Sequence, residues 1–468
     1  MHVARSRTFV VLIVIGVLLI LILAAGPAAQ AGPKGVIYDG TATPSWFRTV
    51  AGPAAGTDSA ADVLLLKSGV MLVCGTLTNA SGNTDISVTK YKNDAQQWTQ
   101  SWNGPANGND GILTLSPARK MALSPDGKYV YVCGYGTRAG GNVDLYVLKR
   151  RVSNGNLVWA KRYDGPAHKN DIATGMGVDG AGNVIATGTS ANAADSDYVV
   201  ASWKASGAVR WTWRWDGKAG ADIPFDLLVT GAGDAYVTGA SQAAGGLVRA
   251  VTARVSPQGA KKWVKKWFGD AGLGAAMSSL AARPGGGVYA GGWVTTAATA
   301  NDAVVIRYTA AGTRSTLGVD TAGGGATNQM YWDIAVLSTK AVVGVGYTQL
   351  GLNQQPRVSI FSSAGTPLFG GTRGTMGSDS FVACATDAFG GWYATGTVHT
   401  APATTSVWTY RSSVLASAGS WSCDFGPIAS ADYGARNIAV RDASCAVVGQ
   451  APSGGPTAID QLALMFNY

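Results

Sequence analysis

Aspartate is the residue type through which this chain could do chemistry. All 27 of its acidic residues are Asp, and none is Glu. Six recur at matched places, Asp58, Asp110, Asp171, Asp222, Asp379 and Asp432, and all but Asp110 stand 17 residues before a Gly that closes an apolar segment. A second series, Asp85, Asp144, Asp197, Asp302 and Asp460, opens the apolar segment that follows. Carboxylates gathered on one face could bind Ca²⁺, which takes several carboxylate and carbonyl oxygens, or grip a cationic or hydroxylated ligand. The competing reading is local, because a short carboxylate at a turn accepts backbone N–H groups of that turn. Repetition in most units favours the local reading, since a binding site usually breaks symmetry.

Other catalytic signatures are sparse. His168 and His399 lie far apart in segments rich in Gly, Pro or Thr, and no G-x-S-x-G or phosphate loop is present. Without Glu the common glycosidase pair is unavailable, which leaves an Asp pair as the alternative. The five Cys (74, 133, 384, 423 and 445) have no C-x-x-C spacing. Cys74 and Cys133 hold equivalent places in successive units, and Cys423 and Cys445 flank the last one. Both pairs are candidate disulfides, with buried thiols as the alternative.

The elements that carry these residues repeat. Short apolar segments end in Gly75, Gly134, Gly188, Gly239, Gly292, Gly346, Gly396 and Gly449, at successive spacings of 59, 54, 51, 53, 54, 50 and 53. A second strand follows each, opened by Asp in five units and by Arg249, Gln355 and Thr404 in the others, and then a strand with Trp four residues after a Gly: Gly155 to Trp159, Gly207 to Trp211, Gly259 to Trp263. Trp98 and Trp421 hold that place without the Gly, and Phe369 and Thr316 substitute for the Trp. One more apolar stretch precedes each Gly-ending segment. Asp110 sits 24 residues before Gly134, which implies an insertion around Ser116 to Ser124. Four short strands per unit, in eight units, predict an all-β fold: a β-propeller of eight four-stranded blades. A single sheet cannot bury both faces, so blades must stack, with Trp as filler between them. The final unit lacks its Trp strand and the chain opens with an orphan Trp46 strand, so Trp46 is expected to complete the last blade and close the ring.

These units resemble the bacterial β-propeller repeat family, through Gly182-Asn183…Thr187-Gly188, Asp197-Tyr198-Val199-Val200 and the G-x-x-x-W elements. That resemblance implies an exported or surface protein and names no reaction. The family is usually seven-bladed, whereas eight units are counted here. G-x-x-x-W is also similar to the tryptophan-docking motif of pyrroloquinoline quinone propellers. Those enzymes carry adjacent cysteines and a Glu among their Ca²⁺ ligands, and this chain has neither.

Residues 1–31 read as an export signal: Arg5 and Arg7, an apolar run from Phe9 to Ala25, and a small-x-small site at Ala29-Gln30-Ala31. If uncleaved, this run is the one predicted membrane contact. Residues 32–468 are then a single propeller domain facing an extracytoplasmic space. Charge falls from +9 to +7 once Arg5 and Arg7 are removed. With no basic run or RNA-binding signature, no nucleic-acid partner is expected. From Lys149 to Lys266 there are 16 Lys and Arg, many on Trp strands that should be outermost. They either guard exposed sheet edges or form a basic rim for anionic cell-envelope polymers. The expected role is a monomeric, non-catalytic binding module for a cell-envelope glycan or protein. The alternatives are an Asp-based hydrolase or lyase, or a quinoprotein-like enzyme, at the channel mouth, and a purely structural envelope protein.

Overall fold

The computed structural model describes residues 43–114, 116–297, 300–321, 328–372, 378–401, 404–413, 421–425, 434–442, 444–452 and 459–467. Residues 1–31, expected to be an export signal, and Asp432 lie outside the described residues. Eight four-stranded antiparallel sheets follow one another along the chain: residues 59–102, 121–163, 171–215, 222–267, 275–320, 329–372, 380–425, and 434–467 with Trp46–Val50. They are blades 1 to 8, each running from innermost to outermost strand. Trp46–Val50 pairs with Ile459–Asn467 as the outermost strand of blade 8, so the chain's first described strand completes its last blade. Among the described residues no helix is long and apolar enough to cross a membrane.

Alternation along each strand feeds two interfaces at once. In blade 3, Val199, Ala201 and Trp203 pack against Cys133, Leu145 and Val147 of blade 2. The intervening Tyr198 and Val200 pack against Val237, Val251 and Ala253 of blade 4. Both faces of the sheet are therefore buried by its neighbours, and no blade is a separate folding core.

The repeated Gly has a definite mechanical role. In seven of the eight innermost strands the register slips by one residue, for example between Ala173 and Gly175 or between Pro224 and Asp226. Gly188 and Gly239 pair just before those slips. A Cβ on Gly188 would overlap the Ile172 carbonyl oxygen, and one on Gly239 would overlap that of Ile223. Gly is required because the bulge brings backbone across the neighbouring strand.

Blade 2 departs from the pattern. Its innermost strand is cut to Met121–Leu123, and the insertion lies at 112–120 rather than around 116–124. Where the other blades have a bulge, this segment leaves the sheet. Ser116 donates to the Phe225 carbonyl of blade 4 at 2.6 Å, and the Arg119 carbonyl accepts from Met176 N–H of blade 3 at 2.8 Å. Asn437 of blade 8 donates to the Pro117 carbonyl at 3.4 Å. Only a segment on the ring axis can meet the innermost strands of blades 3, 4 and 8 together. The insertion therefore plugs the central channel.

Candidate functional site

Both Asp series lie on the face where each blade's chain enters its innermost strand. The entry carboxylates act as staples between elements. Asp58 accepts N–H bonds from Gly52 at 2.5 Å and Thr78 at 2.6 Å. Asp110 bridges Gly104 and Thr137, with Thr137 N at 2.7 Å. Asp171 accepts from Gly165 at 2.6 Å and Asp222 from Gly217 at 2.5 Å. Asp379 accepts the His399 N–H at 2.7 Å, with the ring Nδ1 at 2.6 Å. His399 stands inside the strand Gly391–Ala401 rather than in a loop, whereas His168 is exposed beside Asp164.

At two adjacent interfaces the series converge. Asp144, Asp164 and Asp171 form one group and Asp197, Asp216 and Asp222 another, each offering oxygens within 4.8 Å of one another. A divalent cation would find suitable donors here. Protein cations already occupy these surroundings, however. Arg138 and Arg162 lie 3.4 and 3.2 Å from Asp144 and 3.2 and 3.5 Å from Asp164, and Arg214 lies 2.8 Å from Asp197. Burial, reinforced by Asp164, pushes Asp144 up to about 6 despite the two Arg. Burial likewise raises Asp222 to about 6. The arrangement is that of an ion-pair network with protonatable members.

Sequence reasoning missed a second polar system, on the axis. The residue after each bulge lines the channel: Asp62, Gly175, Asp226, Ser279, Asp333, Ala383 and Asn437. Several reach the next blade. Asp226 accepts from Leu280 N–H at 2.6 Å, Ser279 donates to Asp333 at 2.7 Å, and Asp333 accepts from Cys384 N–H at 2.8 Å. Asn437 donates to Asp62 at 3.0 Å. The plug adds two cations. Arg119 pairs with Asp62 at 3.0 Å. Lys120 is buried, its ammonium held by the Thr174 carbonyl at 2.5 Å and by Ser116. Burial lowers the Lys120 pKa and raises that of Asp226 to about 6. The sequence signal was available, in the 24-residue spacing of Asp110 and in the Asp that recurs four residues after Asp58 and Asp222.

The Trp residues join blades by a repeated contact. Trp159, Trp211 and Trp263 donate their indole N–H groups to Ala205, Pro257 and Ala310 carbonyls in the outer turn of the next blade, at 3.2, 2.8 and 3.0 Å. The Gly of that turn lies on the ring. A Cβ on Gly155, Gly207, Gly259 or Gly312 would press into Trp98, Trp159, Trp211 or Trp263 of the preceding blade. The G-x-x-x-W spacing thus pairs each Gly with the previous unit's Trp. Phe369 approaches Trp392 of blade 7 at 6.5 Å. In blade 5, Leu317 rather than Thr316 is the buried side chain. Trp421 lies opposite Arg411 on its strand. Trp46 packs on Tyr91, with ring centres 5.6 Å apart.

The disulfide expectation is corrected, because all five Cys are buried thiols. Equivalent positions in successive blades face the same way round the ring. Cys74 therefore faces the interface of blades 1 and 2 while Cys133 faces that of blades 2 and 3. Cys423 is on an outermost strand and Cys445 on a second strand of the next blade. An offset of two strands, roughly 10 Å, exceeds disulfide reach. Burial raises the Cys133 pKa to about 12 and that of Cys445 further, so these thiols are inert.

Eight of the 16 basic residues between Lys149 and Lys266 lie on outermost strands. The strands Leu157–Tyr163, Val209–Trp215 and Lys261–Trp267 carry eight Lys and Arg and no acid. Among the described residues, Lys161, Lys261, Lys262, Lys265 and Lys266 have no ion-pair partner, while Arg162, Arg210 and Arg214 are paired. Lys266 lies over the Trp215 ring at 5.6 Å.

No family model and no curated protein matches this chain. Solved propellers share its fold. Chaetomium thermophilum Sqt1, bound to the N-terminus of a ribosomal protein, superposes with a TM-score of 0.53 at 11% identity, covering 88% of this chain and 98% of that one. A further Sqt1 structure from the same organism gives 0.51 at 11% identity, over 88% and 96%. At such identity the likeness is one of fold.

Proposed function

We propose that the protein is an exported, monomeric, non-catalytic binding module that holds an anionic cell-envelope glycan along the outer rim of blades 2 to 4. One observation carries this reading: three consecutive outermost strands bear eight basic residues and no acid, and five of the Lys lack an ion-pair partner among the described residues. Edge protection needs scattered charges, whereas the five Lys without an ion-pair partner, four of them on the one strand Lys261–Trp267, build a field that attracts a polyanion. The rest of the molecule supports binding rather than catalysis. The entry carboxylates are committed to backbone N–H groups, and the axis is filled. Export rests on the basic, apolar and small-x-small order of residues 1–31.

The test is binding of the purified protein to phosphorylated, carboxylated and neutral polysaccharides at two ionic strengths. Binding should favour the charged polymers and weaken about tenfold or more with salt. Replacing Lys261, Lys262, Lys265 and Lys266 by Gln should remove it without changing thermal stability. Equal affinity for neutral polymers, retention by the Gln variant, or saturable polymer cleavage abolished by an Asp substitution in one blade would overturn the reading.

A further inference from the structure

The junction of blades 8 and 1 breaks the rule that a Trp is covered by the next blade's turn. In blades 3, 4, 5 and 6, five residues separate the last outer-strand pairs, as between Val255 and Lys261. In blade 1 only four residues, 92–95, separate Tyr91 from Gln96, and none is Gly. This turn should cover Trp46, and it is too short to do so. Among the described residues the Trp46 indole N–H finds no acceptor, and the ring stays partly exposed.

A cavity of about 370 Å³ opens beside it, on the face opposite the aspartates. That volume lies within the range of small-ligand sites, about 300–1,000 Å³. The floor is apolar, made by Trp46, Leu65 and Met465, and the rim is polar, with Ser68, Asn93, Asp94 and Asp442. Among the described residues, four of the eight non-Gly residues at positive φ are those four rim residues, Asp94 at φ 107°. These residues stand in the tight hairpin turns that close the strands around the cavity, where positive φ is the turn's own geometry. Arg441 also lines the cavity, and its Nε is buried without a hydrogen bond. Charges balance locally: Asp94 pairs with Arg48 at 2.5 Å, and Asp442 lies 3.7 Å from Arg441.

We propose that this cavity is a carbohydrate subsite that holds one uncharged pyranose residue against the Trp46 indole. A sugar ring presents an apolar C–H face and an equatorial belt of hydroxyls. Trp46 suits the first, and the Asn93 amide with the Asp94 and Asp442 carboxylates suits the second. The balance of two carboxylates by two guanidinium groups selects an uncharged sugar over an acidic one. The site is independent of the basic rim, being built from blades 8 and 1 and containing no Lys.

The test is saturation-transfer NMR and calorimetry of the purified protein with neutral probes: a β-1,4-linked N-acetylglucosamine disaccharide, a glucose trisaccharide and a mannose disaccharide. At least one should bind saturably, with the largest transfer to ring C–H protons. Asp94→Gly, which suits the positive φ, should weaken it fivefold or more. Exchanging residues 92–95 for a copy of 256–260 should cover Trp46, abolish binding and raise thermal stability. The Lys→Gln rim variant should bind these probes unchanged, which separates this site from the polyanion reading. No saturable binding by any probe, binding that survives the turn exchange, or preference for a uronic acid would overturn the proposal.

Discussion

Trp211 and Trp46 hold the same place in two blades and serve different ends. Trp211 donates its N–H to the Pro257 carbonyl at 2.8 Å and lies under Gly259, whose missing Cβ leaves room for the indole. Trp46 has the same strand position, but the facing turn is one residue shorter and lacks the Gly. The docking function therefore belongs to a pair, a Trp and the neighbour's turn, and a change in either member frees the other. A repeat protein can expose an aromatic platform without acquiring a new residue, by shortening one loop. Loops tolerate such changes better than strands do.

The comparison can be broken most forcefully at the ring closure. Truncation before residue 51 removes the outermost strand of blade 8 and leaves Ile459–Asn467 with an open edge. We expect a loss of at least ~4 kcal/mol, or aggregation through that edge, read from the denaturation midpoint and the oligomeric state. Full stability after truncation would show that the strand does not hold the ring. Single substitutions sharpen the contrast. Trp211→Ala removes a docked ring together with its hydrogen bond and should cost about 3 kcal/mol. Trp46→Ala leaves the strand's backbone pairing intact and removes a ring covered on one side, so about 1 kcal/mol is expected. Equal costs, measured by urea unfolding of both variants, would mean that the shorter turn does not change the docking.

Much of this fold was legible because propeller repeats write their geometry into spacing. The Gly series marked the second strands, and the structure explains seven of the eight Gly by the bulge each faces. The orphan Trp46 strand was legible as the missing piece of blade 8, because a four-stranded unit lacking one strand must find it elsewhere. The Asp series were legible as a pattern, and their role as staples between a loop Gly and the end of a second strand follows from their place at strand entries. What stayed hidden depends on depth rather than order. The residues after the bulges look like ordinary strand residues until one extra residue turns them toward the axis. The plug was visible only as a spacing anomaly, since nothing in Ser116 to Lys120 says that this loop turns inward. The cavity at Trp46 was hidden for a simpler reason. It is made by a turn that is short by one residue, on the face opposite the conspicuous carboxylates.

The axis offers the smallest and most selective comparison. Asp62 and Asp226 hold the same post-bulge position in blades 1 and 4. Asp62 has Arg119 at 3.0 Å in addition to the N–H groups of Val63, Lys120 and Met121, whereas Asp226 relies on the N–H groups of Leu227 at 2.7 Å and Leu280 at 2.6 Å. Burial raises the Asp226 pKa to about 6, above the ordinary Asp value of about 3.9. Between those values the folded chain keeps the proton and the unfolded chain releases it. Stability from this group is therefore full below about pH 4 and lost as pH rises through about 6. Asp226→Asn cannot titrate, and Asp144 and Asp222 contribute equally to both proteins. The wild type should gain about 1 kcal/mol relative to the variant when pH falls from 7 to 5.5. Parallel stability profiles across that window would mean that the Asp226 carboxyl titrates in its ordinary range, and that its two backbone N–H groups offset the cost of burying its charge.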